Sequence, residues 1–146
     1  MAKIVLTGVD NTEPAAAAAR KAAELAAAMG ARLHVISAYG RTFEAERINV
    51  GSEELLITNE QSAQGVASDV FASLRGEFPD LEVTYGAAEG NPAEALVRAA
   101  EELDADVIVV GNKRVQGLAR ILGSIARDVA AHAPCDVYIA HTHQRS

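Results

Sequence analysis

The chain has 146 residues, of which 49% are hydrophobic and 23% are charged, and it carries a formal net charge of −7 with a single cysteine. We therefore expect one domain over residues 1–146, with one well-covered core. The acidic surplus argues against broad binding to nucleic acids or anionic membranes, which depends on a surplus of lysine and arginine. One cysteine excludes an intrachain disulfide and a cysteine-based metal cluster.

The amino terminus shows no targeting pattern. Its first apolar run, Ile4–Val9, is interrupted by Asp10 and is shorter than the apolar region of a signal peptide. No stretch approaches the roughly 18 apolar residues that span a bilayer. The sequence therefore predicts a soluble cytoplasmic protein.

In the first third of the chain, the run Ile4–Val9 predicts a strand, and the alanine-rich segment from Thr12 to Met29 predicts a helix that ends at Gly30. The run Arg32–Ala38 predicts a second strand. Residues 40–51 have no clear pattern, and a long connector is favoured there over a mobile loop above a binding site.

A second helix is predicted to begin near Ser52 or Glu53 and to reach Phe78, because apolar residues recur at four-residue spacing before Phe78. The run Leu81–Tyr85 predicts the third strand.

The third helix has a clear start. Asn91 is the expected N-cap, Pro92 occupies the first helical position, and Glu94 follows three residues after the cap. The run Asp106–Val110 lacks polar alternation within its core, which is typical of a strand covered on both faces of a parallel sheet.

The last helix is predicted to begin at Ser124 and to end before Pro134, and the run Asp136–His141 predicts the fifth strand. Strands that alternate with helices predict right-handed crossovers and a doubly wound α/β domain with a parallel sheet. The last run would be an exposed apolar edge, a feature that proteins cover. We therefore expect a two-fold homodimer that pairs residues 136–141.

The segment Gly111–Ser124 is the strongest candidate for a ligand site, since it links a buried strand to a helix start. The free N–H groups and positive dipole end of a helix start attract anions, and Ser124 adds a hydroxyl. Residues 111–127 include four basic side chains and no acidic one, which favours a phosphate-bearing ligand. The alternative is that Ser124 is an ordinary N-cap and that the basic side chains are solvated. These side chains are Lys113, Arg114, Arg120 and Arg127.

Asp10 follows the first predicted strand, at the edge where ligands bind in open α/β sheets. It would accept hydrogen bonds from a ribose or a base amino group. The alternative is helix capping, in which Asp10, Asn11 or Thr12 binds the next helix start, and one residue can fill both roles.

Several reaction types find no support. The phosphate-loop pattern G-x-x-x-x-G-K-[ST], a G-x-G-x-x-G after the first strand and the G-x-S-x-G elbow are all missing. His34 lies inside a strand and is interpreted as a packed residue, and Cys135 as a small buried one. No metal site and no catalytic residue are predicted.

At the level of motifs, residues 109–140 resemble the carboxyl-terminal signature of universal stress proteins. The resemblance rests on Val-Val-Gly-Asn at 109–112, Gly-Leu-Ala-Arg-Ile-Leu-Gly-Ser-Ile-Ala at 117–126 and Ala-His-Ala-Pro-Cys-Asp-Val-Tyr-Ile-Ala at 131–140. Val9-Asp10 and Glu89-Gly90-Asn91-Pro92-Ala93 are also similar to that family. The resemblance implies the strand order 3-2-1-4-5 and dimers formed by the last strands.

The resemblance also implies an adenine-nucleotide site. Gly111, Gly123 and Ser124 match the family's G-x2-G-x9-G-[ST] pattern, Asp10 its aspartate near adenine and ribose, and Gly90 a glycine beside the ribose. The full set of implied nucleotide-binding residues is Gly8, Val9, Asp10, Val35, Gly90, Val110, Gly111, Lys113, Arg114, Gly123, Ser124 and Ile125.

One departure affects this site. Arg114 stands where the second glycine belongs, and eleven residues rather than twelve separate Gly111 from Gly123. Arginine restricts the backbone and fills space near the phosphates, yet its guanidinium would also bind a phosphate.

Three functions are open. The first is a nucleotide-binding stress-type regulatory protein without fast turnover, with ATP, AMP or cyclic AMP as ligand and Mg²⁺ only if a triphosphate binds. The second is a dimeric protein-interaction module that does not bind ATP. The third is a slow ATPase or autokinase, which ranks last because no carboxylate pair is positioned by sequence to hold Mg²⁺.

Overall fold

The computed structural model describes residues 3–40, 59–112 and 123–142. Strands and helices alternate throughout these ranges. They are β1 (Ile4–Val9), α1 (Glu13–Met29), β2 (Arg32–Tyr39), α2 (Glu60–Glu77), β3 (Val83–Glu89), α3 (Pro92–Leu103), β4 (Val107–Asn112), α4 (Ser124–His132) and β5 (Asp136–His141).

The five strands form one parallel sheet in the order β3-β2-β1-β4-β5, which confirms the expected fold class. β1 lies at the centre, paired with β2 on one side and with β4 on the other. The chain adds β2 and β3 on one side of β1, and then β4 and β5 on the other. The strand order therefore reverses between β1 and β4, and a crevice opens there at the carboxyl ends of the strands.

Two apolar cores lie on opposite faces of the sheet. α1 and α2 cover the face that holds Val5 and Leu33, while α3 and α4 cover the face that holds Leu6 and Ile108. Because successive residues of a strand point to opposite faces, two covered faces require apolar residues at every position. This explains why β1 and β4 read as continuous apolar runs.

Capping side chains set the starts of three helices. The hydroxyl of Thr12 caps α1, and Asn91 Oδ1 accepts a hydrogen bond from the Glu94 N–H at 2.9 Å to cap α3 as expected. At the start of α2, Asn59 Oδ1 accepts from the Ser62 N–H at 2.8 Å. Because Asn59 has extended backbone dihedrals, α2 begins at Glu60, and the predicted start near residues 52 and 53 is wrong. Those two residues lie outside the described ranges.

The predicted bounds of the third strand also need correction, since β3 covers Val83–Glu89 rather than Leu81–Tyr85. Leu81 belongs to the turn before the strand, where its N–H donates to the Phe78 carbonyl at 3.1 Å. β3 continues through small residues because its pairing with β2 runs from Leu33 to Tyr39. The register of a neighbouring strand, and not a local apolar pattern, sets the end of β3.

Candidate functional site

A cavity of about 250 Å³ lies at the carboxyl ends of β1 and β4, at the point where the strand order reverses. Its walls come from both faces of the sheet. The lining residues are Gly8, Val9, Asp10, Thr12, Pro14, Ala15, Ala18, Ile36, Ala38, Pro92, Leu96, Val110, Gly111, Ile125 and Thr142. Six predicted site residues are thus brought together here, namely Gly8, Val9, Asp10, Val110, Gly111 and Ile125.

Two glycines lie at this edge, Gly8 on β1 and Gly111 on the neighbouring strand β4, and packing leaves little room for a side chain at either. A Cβ atom at Gly111 would lie 3.0 Å from the Thr142 Cγ2 atom and 3.2 Å from the Ala18 Cβ atom. A Cβ atom at Gly8 would lie 3.3 Å from a methyl group of Leu96. Both contacts are tighter than side chains normally allow, so any larger residue would displace its neighbours. The glycines therefore keep both helical layers close to the sheet where the cavity opens.

Asp10 and Thr12 form the polar side of the cavity. The N–H and the hydroxyl of Thr12 both donate to Asp10 Oδ1, at 2.9 and 2.5 Å. The Thr12 oxygen in turn accepts from the Ala15 N–H at 3.3 Å. Thr12 is thus the N-cap of α1, and Asp10 supports that cap through Thr12. Of the three capping candidates offered by the sequence, Thr12 is the one that caps the helix directly.

The opposite wall is apolar and includes Ile36 and Ala38 of β2. The resemblance implies a backbone contact between adenine and β2 near Val35; the Val35 side chain is fully buried in the core beneath α1 and α2 and is not part of the lining. Residues 35 and 36 of β2 point to opposite faces of the sheet, and on this strand it is the side chain of Ile36 that lines the cavity. The alternation of side chains along paired strands could have indicated Ile36, because it faces the same side of the sheet as Leu6.

The start of α4 lies beside β4, where the sequence pattern places a phosphate. Gly123 is the N-cap and has no side chain to offer, so the interpretation of Ser124 as the N-cap is wrong. The Gly123 N–H donates to Asn112 Oδ1 at 2.8 Å, and Asn112 is buried. Ser124 is the first helical residue and is exposed. The sequence analysis missed Asn112, which ties the end of β4 to the start of α4.

Gly90 lies farther from the cavity and is not part of its lining. It follows β3, two strands away from β1, and has a φ of 120°, a conformation that favours glycine. Its N–H donates to the Tyr39 carbonyl at 2.9 Å, and the Arg98 guanidinium donates to the carbonyl of Glu89. Gly90 thus has a structural role in joining the ends of β2 and β3.

Lys113 and Arg114, together with the shortened glycine pattern that they interrupt, lie outside the described residues. Residues 41–51, for which the sequence left a connector and a mobile loop open, also lie outside them. Of the four basic residues noted around Gly111–Ser124, Arg127 is described, and it is exposed on α4.

Thr142 follows β5 and contributes to the cavity from the far side of β4. Its N–H donates to the Asn112 carbonyl at 3.3 Å. Its hydroxyl oxygen is buried and makes no hydrogen bond with any described residue. Nothing in the sequence pattern singled out Thr142, because it adjoins the cavity only through the pairing of β5 with β4.

Two titratable groups lie away from the cavity. His34 Nδ1 lies 2.6 Å from the Thr84 hydroxyl oxygen, and burial followed by the charge of Arg32 lowers the histidine pKa. The prediction that His34 is a packed residue is therefore confirmed. Burial and the nearby Asp136 raise the pKa of the Cys135 thiol. Within the described ranges, no set of three or more His, Cys, Asp or Glu side chains is arranged to hold a metal ion.

The sequence model of one known family, the universal stress protein family, matches residues 1–141 of the chain. The chain belongs to the universal stress protein family. A universal stress protein of Mycobacterium tuberculosis is 31% identical, over 96% of this chain and 97% of that protein. Among the helices of the described ranges, none has the length and apolar character needed to cross a membrane.

Solved structures of universal stress proteins share the fold. One in complex with cAMP is 26% identical with a TM-score of 0.71, covering 97% of this chain and 98% of that one. Another, from Archaeoglobus fulgidus in complex with dAMP, is 25% identical with a TM-score of 0.66, covering 95% and 97%.

Proposed function

We propose that this universal stress protein is a regulatory protein that binds an adenine nucleotide in the cavity between β1 and β4, without fast turnover. The observation that carries the proposal is the cavity itself, whose lining in the described ranges combines apolar walls with one carboxylate, Asp10, at the strand-order reversal. Ligand sites of this kind pair mostly apolar surface with a few placed polar groups. The relatives solved with cAMP and dAMP support an adenosine monophosphate as ligand.

The lining suggests how the parts of a nucleotide would be held. Ile36, Ala38 and Leu96 offer apolar contact to a planar base, and Asp10 offers a carboxylate to a ribose hydroxyl or a base amino group. The phosphate would lie toward the start of α4, where Ser124 and the first N–H groups of the helix attract negative charge. At about 250 Å³ the described cavity suits a nucleoside, with its phosphates extending beyond it.

AMP, cyclic AMP and ATP are the candidate ligands, and Mg²⁺ belongs to the proposal only with ATP. A slow ATPase or autokinase would need carboxylates to hold Mg²⁺ beside the phosphates. Among the lining residues of the described ranges, Asp10 is the one carboxylate. We therefore propose binding rather than turnover as the activity.

We also propose that the protein is a homodimer that pairs through β5. Among the strands that the structure describes, β5 pairs with β4 alone, and Tyr138 on β5 is 40% exposed. An edge strand with exposed apolar side chains tends to pair with another chain. An interaction module that acts as such a dimer without a nucleotide remains the second candidate, and the same apolar edge favours it.

The test is calorimetric titration of nucleotide-free protein with AMP, cyclic AMP and ATP, repeated on Asp10→Asn. The asparagine oxygen still accepts from Thr12, so the α1 cap is kept while the negative charge is lost. We expect affinity to fall about tenfold or more, because a charge-assisted hydrogen bond is lost, with little change in melting temperature.

The matched control is Asp104→Asn, at the carboxyl end of α3 and outside the cavity lining. Asparagine tolerates the left-handed backbone of Asp104, so this variant should keep both stability and nucleotide affinity. A parent protein that binds none of the three nucleotides would refute the proposed function and leave the interaction module as the better account.

A further inference from the structure

Resting on the proposed nucleotide site, we infer that Asn112 binds the phosphate of the nucleotide through its side-chain amide NH₂ group. Asn112 is the last residue of β4 and is 5% exposed. The glycine pattern of residues 111–124 gives it no role, because it stands at a position that the pattern leaves unspecified. Its burial and its hydrogen bonds single it out instead.

Asn112 lies just beyond the described lining of the cavity, on the side of α4. It follows Gly111, which lines the cavity, and its side chain reaches Gly123, the residue immediately before α4. Ile125, in the first turn of α4, lines the cavity as well. A nucleoside in this cavity would extend its phosphate toward α4, and Asn112 is a buried polar side chain at that end.

One hydrogen bond fixes the orientation of the Asn112 amide. The Gly123 N–H donates to Asn112 Oδ1 at 2.8 Å, and an N–H group can donate only to the oxygen of an amide. Nδ2, with its two N–H donors, is therefore turned away from the Gly123 N–H. Within the described part of the chain, no group accepts a hydrogen bond from Nδ2.

A buried amide gains stability when its free donors meet an acceptor, and a bound ligand would supply one here. The helix start beside it favours an anionic acceptor, since α4 adds its positive dipole end and the exposed Ser124 hydroxyl. Asn112 takes one N–H donor of this helix start, that of Gly123, and offers two in return. A phosphate oxygen fits this set of donors.

Asn112→Asp tests the inference with a side chain of nearly the same shape. One carboxylate oxygen still accepts from the Gly123 N–H, while the other places negative charge where the NH₂ group was. The positive end of α4 favours the ionised carboxylate. We would titrate the parent and this variant with AMP and with adenosine, which differ by the phosphate alone.

AMP should bind the parent more tightly than adenosine does. In Asn112→Asp the AMP affinity should fall about ten- to a hundredfold, because a charge-assisted hydrogen bond is replaced by repulsion. Adenosine affinity should not change, and added salt should narrow the difference between parent and variant for AMP.

The matched control is Asn59→Asp, the same substitution at the start of α2 and outside the cavity lining. Aspartate is as good an N-cap as asparagine, so this variant should bind both ligands like the parent. A loss of AMP affinity in Asn59→Asp equal to that in Asn112→Asp would mean that the effect is not local, and it would overturn the inference.

An NMR measurement on the parent keeps the inference testable if Asn112→Asp does not fold. AMP should shift the signals of the Asn112 NH₂ group, and adenosine should leave them in place. NH₂ signals that respond equally to both ligands, or to neither, would contradict a contact with the phosphate.

An equal loss of AMP and adenosine affinity in Asn112→Asp would mean that Asn112 only shapes the site, and unchanged AMP affinity would place the phosphate elsewhere. Either result overturns the inference. A parent that binds AMP no more tightly than adenosine also overturns it, yet leaves the proposed function standing. A parent that binds no adenine nucleotide refutes both.

Discussion

Among single residues, Thr7 within β1 and Thr142 after β5 differ in whether their buried hydroxyl groups form a hydrogen bond. The Thr7 hydroxyl donates to the Val109 carbonyl at 2.9 Å across β1 and β4, and Thr7 is fully buried. The Thr142 hydroxyl oxygen is also buried but has no partner among the described residues. Burying a hydroxyl is favourable only when its hydrogen bond is replaced, so the two positions should respond differently to valine.

We expect Thr142→Val to raise the free energy of unfolding by about 1 kcal/mol, because it removes an unpaired buried hydroxyl without changing side-chain shape. Thr7→Val is the matched control and should lower it by about 1 kcal/mol, because a buried hydrogen bond is lost. Urea unfolding of both variants measures the two signs. A loss of stability in Thr142→Val would mean that residues outside the described ranges bind this hydroxyl.

Among the secondary-structure elements, β2 and β3 pair so that the titratable side chain of His34 lies opposite Thr84 and contacts its hydroxyl group. Burial, and next the positive charge of Arg32, lower the His34 pKa below its ordinary value of 6.5. The folded state therefore binds fewer protons at this site than the unfolded state once the pH falls below 6.5. As the pH falls below 6.5, the free energy of unfolding therefore decreases, and it stops decreasing once the pH is below the lowered pKa of His34 in the folded state.

We expect the parent protein to lose stability between about pH 7.5 and pH 5.5, and His34→Gln to lose less over the same interval. Glutamine keeps a polar side chain beside Thr84 but does not titrate. His132→Gln, at an exposed position of α4, should leave the pH dependence of the parent intact. A parallel loss of stability in the parent and in His34→Gln would contradict the assignment.

At the scale of the whole molecule, Tyr138 and Ile125 are the large apolar residues that the described chain leaves exposed, each at 40%. They belong to different surfaces. Tyr138 lies on the edge strand β5, while Ile125 lies on α4 at the cavity. The first surface suits pairing between two copies, and the second suits a ligand.

We expect sedimentation at micromolar concentration to show a dimer, and Tyr138→Glu to shift it to monomer, because two glutamates would be buried near the two-fold axis. Ile125→Glu introduces the same change at equal exposure and should remain dimeric while nucleotide binding weakens. A parent protein that sediments as a monomer would refute pairing through β5.

Much of this fold could be read from local patterns in the sequence. β1 and β5 have the predicted bounds, α1 ends at Gly30, and the start of α3 at Asn91 and Pro92 is as expected. Each of these depends on neighbouring residues alone, through caps, left-handed glycine or a continuous apolar run. The order of the strands came from the family resemblance rather than from periodicity.

Which residues meet at the cavity depends on how the strands and helices pack together. Ile36 lines the cavity from β2, Thr142 reaches it through β5, and Thr12 takes up one oxygen of Asp10. The extent of β3 likewise depends on β2 rather than on its own sequence. These features arise from strand register and from the packing of elements distant in sequence. A local pattern indicates which way a side chain turns, but not which neighbour it meets.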